Sequence, residues 1–176
     1  MKNSSLLKTL ALGLTFLVGI VNAQSITGKS MKVTVDGTSS LHDWTMNSTS
    51  ATFSAQISGN ALSNVVFKMP AKNLKSTKGK MMDNKAHEAL KADQASTISF
   101  TATSINIGKG TAQGKMSIAG VTKNVTFPVT VTKSGSNYSI VGTYTGKMSE
   151  YGMKTPGFMG VKTGDQVKVS VNISAN

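Results

Sequence analysis

The 176-residue chain has no cysteine and no arginine, and it has only 3 prolines, 1 tryptophan and 7 acidic residues against 19 lysines. Without Cys there is no disulfide, thiolate nucleophile, Cys-ligated zinc, iron–sulfur cluster or lipidated N-terminal cysteine, so packing alone must hold the fold. Without Arg the planar fork that grips phosphate or guanine is missing, which argues against nucleic acid as a partner. Long hydrophobic runs are scarce as well. The strongest, residues 10–21, is too short for a membrane span, and no later segment is half long enough, which excludes an integral helical membrane protein.

Residues 1–23 read as an export signal. Lys2 and Lys8 form a basic lead-in, residues 10–21 the apolar stretch, and Val21-Asn22-Ala23 offers the small residues a signal peptidase needs. A mature chain of residues 24–176 is then one ordinary domain, located in the periplasm or secreted. Removing Lys2 and Lys8 leaves 17 lysines against 7 acidic residues, a net charge of +10. The simplest account is Lys on the outer face of strands, keeping sheets apart and the protein in solution. Weak attraction to anionic membrane surfaces is a second consequence.

What the mature chain does have is period-two alternation of β-branched and polar residues, broken by Gly-, Asn- and Ser-containing turns. Eight runs show it: Met31-Val33-Val35, Phe53-Ala55-Ile57, Val65-Phe67-Met69, Ile98-Phe100-Ala102, Ala112-Gly114-Met116-Ile118, Val125-Phe127-Val129-Val131, Tyr138-Ile140-Gly142-Tyr144-Gly146-Met148 and Val167-Val169-Val171-Ile173. The fourth run slips phase before Ile105 and Ile107, as a β-bulge would make it. Residues 71–95 break the pattern, and Asp83 reads as the N-cap of a short helix through Ala86, Ala89 and Leu90. Pro128 lacks a ladder donor and should stand at a bulge or local opening.

Short connections imply antiparallel neighbours, and a sheet with one apolar face must bury that face. An eight-stranded barrel closed on itself does so and removes exposed edges; a two-sheet sandwich is the alternative left open by the pattern. The alternation points Phe53, Phe67, Phe100, Phe127 and Tyr144 inward and Lys68, Lys115 and Lys168 to water. Met116 and Met148 fall on inward faces, while Met81, Met82, Met153 and Met159 fall in connections, where they would cap the barrel or meet a ligand. Gly142 and Gly146 share the inward face with Tyr144 and subtract volume, leaving room for a ligand or letting the strand coil. The connection over residues 150–164 carries Tyr151, Met153, Phe158 and Met159, so it reads as a lid or plug. Trp44 is either a plug or a ligand contact.

Catalytic signals are weak. His42-Asp43 and His87-Glu88 are the only His–carboxylate neighbours, and adjacent side chains on an extended segment point to opposite faces. A structurally hydrogen-bonded His42 and a His87 on a solvated helix face are the plainer readings. There is no phosphate loop, nucleophile elbow or metal-binding helix motif, so neither enzymatic activity nor a cofactor or metal is expected.

Four segments carry a resemblance to a known family. They are Thr38-Ser39-Ser40-Leu41-His42-Asp43-Trp44; Met82-Asp83-Asn84-Lys85 through Glu88-Ala89-Leu90-Lys91 into Ile98-Ser99-Phe100; Gly114-Lys115-Met116-Ser117-Ile118-Ala119-Gly120-Val121-Thr122-Lys123 into Val125-Thr126-Phe127; and Asp165-Gln166-Val167-Lys168-Val169-Ser170-Val171. The third is the most specific. Together they resemble the YceI-like family of exported, lipocalin-like proteins, in the branch common in Bacteroidetes, over nearly all of the mature chain. Asn124 stands where many members have Pro, and Ala95-Ser96 replaces a frequent Tyr-Pro. The resemblance implies an eight-stranded antiparallel barrel with one helix between the third and fourth strands. It also implies a long-chain apolar ligand of isoprenoid, quinone or fatty-acid type, and it admits homo-oligomers. The candidate ligand contacts are Trp44, Phe53, Phe67, Phe100, Met116, Ile118, Phe127, Val129, Gly142 and Tyr144, with Phe158 and Met159 from the long connection. The competing reading is a non-catalytic structural or interaction protein, its barrel filled by its own side chains and its basic surface meeting partners.

Overall fold

Alternating sequences of this kind form strands with one buried and one wet face, and here those strands close into a ring. The computed structural model of the chain describes residues 24–158 and 160–176, except for the side chain of Phe158. The export signal expected over residues 1–23 and the candidate contacts of Phe158 and Met159 therefore lie outside the described residues. The strands are β1 (Ser25–Ser39), β2 (Trp44–Ser48), β3 (Thr52–Ser58), β4 (Ala61–Pro70), β5 (Lys75–Ser76), β6 (Thr97–Asn106), β7 (Gly108–Ile118), β8 (Val121–Ser134), β9 (Asn137–Lys147), β10 (Gly157–Phe158) and β11 (Val161–Ala175). One helix, α1 (Lys80–Ala89), and two 3₁₀ turns, Ala71–Asn73 and Met148–Tyr151, complete the set.

Eight of these strands are staves of a closed antiparallel barrel, in the order β1-β3-β4-β6-β7-β8-β9-β11, with β11 pairing back to β1. The sandwich alternative is thereby excluded. β1 is long because it serves three partners. Along one edge Ser25–Thr27 pairs with β3 and Val33–Gly37 with β2, while the other edge pairs with β11 from Gly28 to Ser39. The sequence pattern showed only the part of β1 from Met31 onward, because a register shift between Gly28 and Ser30 interrupts the alternation.

The phases follow the sequence. Phe53, Phe67 and Phe100 are buried, Phe127 and Tyr144 are half-buried against the core, and Lys68, Lys115 and Lys168 are exposed. In β6 the buried positions run Phe100, Ala102, then Ile105, which is the anticipated slip. A matching slip in β4, from Leu62 to Val65, was not anticipated. There the ladder to β3 shifts register and Asn64 takes φ of 50°, a bulge that a short polar side chain tolerates. Pro128 stands where it was expected to: the β8–β9 ladder ends at Val129↔Gly142, one residue short of it.

The helix differs from expectation. It starts at Lys80, so Asp83 is not the N-cap but lies in the first turn. Its carboxylate instead accepts from the Ser76 backbone N–H at 2.6 Å and faces Lys75 at 3.8 Å, tying α1 to β5. His87 is not on a solvated face either: it is part-buried, and its Nε2–H donates to the Leu74 carbonyl at 2.9 Å.

The two ends of the barrel are built differently. At the end holding the β3–β4, β6–β7 and β8–β9 turns, Ile26 and Leu62 are 0 % exposed and Val131 and Tyr138 at most 2 %. Each buried side chain of this size contributes about 1.5–3 kcal/mol. The opposite end carries α1, the 40–43 connection, the 3₁₀ turn Met148–Tyr151 and β10, and its apolar residues surround a hollow.

Candidate functional site: an apolar cavity with a basic mouth

The inward faces leave a cavity of about 470 Å³, within the range of roughly 300–1,000 Å³ that suits one small-molecule ligand. Its floor is Ile105, Ala112, Ile140 and Ile173, directly above the packed end. Its roof includes Leu74, the α1 residues Met82, Ala86 and Ala89, and Leu90, which follows the helix directly. Met82, Ala86 and Leu90 recur at four-residue spacing, which puts them on one helical face. Met82 was expected to cap the barrel or meet a ligand, and that spacing was the available signal for Ala86 and Leu90 beside it. Met153 and Met148 also line the space, as expected, whereas Met81 points away and is 55 % exposed.

Ten of the twelve candidate contacts come together on this wall: Trp44, Phe53, Phe67, Phe100, Met116, Ile118, Phe127, Val129, Gly142 and Tyr144. Three of the aromatics form a row. Phe100 and Phe127 meet edge to face with centroids 5.1 Å apart, and Phe127 meets Tyr144 in the same way at 6.1 Å, geometries that favour the ring quadrupoles.

The inward glycines do not leave empty space, which corrects one expectation. A Cβ at Gly142 would lie 3.2 Å from the Phe127 ring, and a Cβ at Gly146 would collide with the Tyr144 hydroxyl. Gly114 is covered in the same manner by Phe100, and Gly37 by Trp44. Each bare backbone position thus lets a neighbouring aromatic lie against the wall, an arrangement known to stabilise sheet glycines. Trp44 is further fixed by its Nε1–H donating to the Thr38 carbonyl at 2.9 Å.

Polar groups are few. The basic side chains on the cavity wall are His42, Lys78, Lys85 and Lys147, and no carboxylate is among the described lining residues. His42 is exposed at the rim, its Nδ1–H donating to the Asp43 carbonyl oxygen at 3.0 Å rather than to a carboxylate. Among the described residues no three His, Asp or Glu side chains gather as a metal site would require. Deeper in, the Tyr144 and Tyr151 hydroxyls bond each other at 3.1 Å. Burial foremost, then the bond to Tyr144, pushes the Tyr151 hydroxyl well above the ordinary phenol range, so it keeps its proton. The turn presenting Tyr151 is held by Asp165, whose carboxylate accepts from the Ser149 N–H at 2.8 Å and Oγ–H at 2.5 Å. The Ser149 side-chain bond first, then its backbone bond, lowers the Asp165 pKa.

Comparison with solved structures gives the same fold. The Burkholderia cenocepacia protein BcnA superposes with a TM-score of 0.70 at 17% identity, covering 83% of this chain and 96% of its own. A Saccharophagus degradans domain described as polyisoprenoid binding gives 0.69 at 8% identity, covering 86% and 97%. The Campylobacter jejuni YCEI protein gives 0.56 at 14% identity, covering 99% and 97%. No curated protein matches the sequence. The sequence itself matches the family model of the YceI-like domain over residues 20–175, and with that match spanning the whole barrel, the chain belongs to the YceI-like family.

Proposed function

We propose that this protein is an exported, non-catalytic carrier that holds a long apolar molecule of isoprenoid type inside its barrel. The observation that carries the reading is the cavity: about 470 Å³, almost wholly apolar in lining, and without a carboxylate. A barrel filled by its own side chains would have no such space, and a polar solute would leave its own groups unpaired there. That a solved neighbour of the same fold is described as polyisoprenoid binding supports isoprenoid over other chains. Shape and dryness are what the wall supplies; among the described residues no nucleophile, base and orienting group meet in it.

Trp44 is the sole tryptophan and lines the cavity, so its fluorescence reports occupancy. Mass spectrometry of an organic extract of the purified protein should find an isoprenoid lipid, and titration of the extracted protein with one should shift the Trp44 emission. An extract free of lipid together with a flat titration overturns the carrier reading. Val129→Asp would place an unpaired carboxylate on the wall and should abolish the emission shift. Replacing His42 with Gln should leave ligand content unchanged. N-terminal sequencing of exported protein should begin at Gln24; retention of residues 10–21 would make that segment an anchor.

A further inference from the structure

Two tyrosine hydroxyls on the apolar wall are bonded to each other. Tyr144 and Tyr151 both line the cavity, and Tyr151 is only 2 % exposed. Their two hydroxyls carry two hydrogens, and the bond between them uses one. Whichever is the donor, the other hydroxyl keeps a hydrogen for which no described side chain or backbone group is an acceptor. On a wall that is otherwise apolar, a hydroxyl with a hydrogen to spare is a donor open to a partner in the lumen. The unpartnered Tyr138 hydroxyl is a different case, because Tyr138 belongs to the packed end and does not line the cavity.

The surroundings of the pair point to what that partner is. The bare backbone of Gly146 makes room for the Tyr144 hydroxyl, and Asp165 fixes the turn that carries Tyr151. The pair is therefore held in place before any ligand arrives. It ends the row Phe100, Phe127, Tyr144, so an apolar chain lying along those rings would reach it with its terminus. Tyr151 keeps its proton across the neutral range, so its hydroxyl brings a hydrogen to the pair and no negative charge to repel an anion. Lys147, on the same strand as Tyr144, and Lys78 also line the cavity and bring positive charge to its wall.

We propose that the Tyr144–Tyr151 pair is a head-group subsite: the bound chain is an amphiphile whose terminal oxygen accepts the hydrogen bond the pair leaves over. The oxygen is that of a carbonyl or of an anionic head; a pure hydrocarbon is the poorer ligand. This inference rests on the carrier reading and adds polarity of one end to it.

The test uses the full mature chain, stripped of lipid, with Trp44 emission as readout and three probes: farnesylacetone, the hydrocarbon of the same skeleton without oxygen, and farnesoic acid. One neutral hydrogen bond should make the ketone bind roughly tenfold tighter than the hydrocarbon. In the double variant Tyr144→Phe, Tyr151→Phe that ratio should fall to about one, with the urea midpoint of the empty protein as the control for fold. Both substitutions are needed, since a single remaining hydroxyl would still donate. Tighter binding of farnesoic acid than of the ketone at low salt, lost in Lys78→Gln, Lys147→Gln, supports an anionic head; equal binding of the two supports a neutral one. Equal affinity of ketone and hydrocarbon for the unaltered protein, or a ratio that survives the double variant, overturns the subsite. If none of the three probes binds the unaltered protein, it is the carrier reading that fails.

Discussion

The packed end and the mouth of this barrel are made from the same staves, yet they do opposite things. At the packed end Ile26, Leu62 and Val131 interdigitate until nothing is exposed; at the mouth Trp44, Phe127 and Tyr144 are only half-buried, and α1 has no fully buried residue at all. The difference lies in side-chain placement rather than hydrophobicity. Branched aliphatic residues project into the axis and fill it, while aromatics laid over Gly37, Gly114, Gly142 and Gly146 stay on the wall. Stability is thereby concentrated at one end and binding space at the other.

If that division holds, the largest effect comes from the packed end. Leu62→Ala should cost about 2–5 kcal/mol of stability, read as a lowered urea midpoint, with ligand affinity unchanged. Phe127→Ala at the mouth should cost less than about 3 kcal/mol in the empty protein, short of the loss from a filled core, and more once ligand is bound. Equal losses for Phe127→Ala with and without ligand would break the comparison. Gly142→Ala is smaller still: the added methyl displaces the Phe127 ring toward the lumen, with a stability change within about 1 kcal/mol but weaker ligand binding in the Trp44 titration.

The smallest effect concerns pH. The folded-state pKa of Asp165 is lowered by the Ser149 bonds, so its contribution is present above the ordinary carboxylate pKa and is lost as pH falls through that value toward the lowered one. Thermal midpoints measured from neutral pH down through the acid range should fall more steeply for the unaltered protein than for Asp165→Asn. Parallel curves would show that the turn carrying Tyr151 does not depend on that carboxylate.

Much of this was legible beforehand, and the physical reason is periodicity. Strand pairing fixes alternate side chains on alternate faces, so Phe53, Phe67 and Phe100 could be placed inward from sequence alone, and the slip before Ile105 and the opening at Pro128 were visible as breaks in that rule. What was hidden depended on neighbours distant in sequence. Gly142 and Gly146 looked like donated volume because the rings that cover them come into place only through the barrel's curvature. Asp83 looked like a cap because its real partner, the Ser76 N–H, lies in β5, a strand too short to register as a pattern. The Tyr144–Tyr151 bond needs the 3₁₀ turn Met148–Tyr151, which Asp165 holds from β11.

The seam between β1 and β11 bears on how the chain reaches its native state. Every other seam of the barrel joins staves that follow one another along the chain. This one joins the first stave to the last, so it can form only after β11 exists, and distant pairings of that sort make folding slow. Unpaired edges of β1 and β11 would be open to pairing with another copy of the chain. Asp36 stands directly opposite Lys168 across the seam, and such opposite-charge pairs help select the correct register. Refolding traces should therefore show a slow last phase accompanied by loss of exposed edge. Asp36→Lys, which sets like charges face to face, should lengthen that phase and favour aggregation over closure.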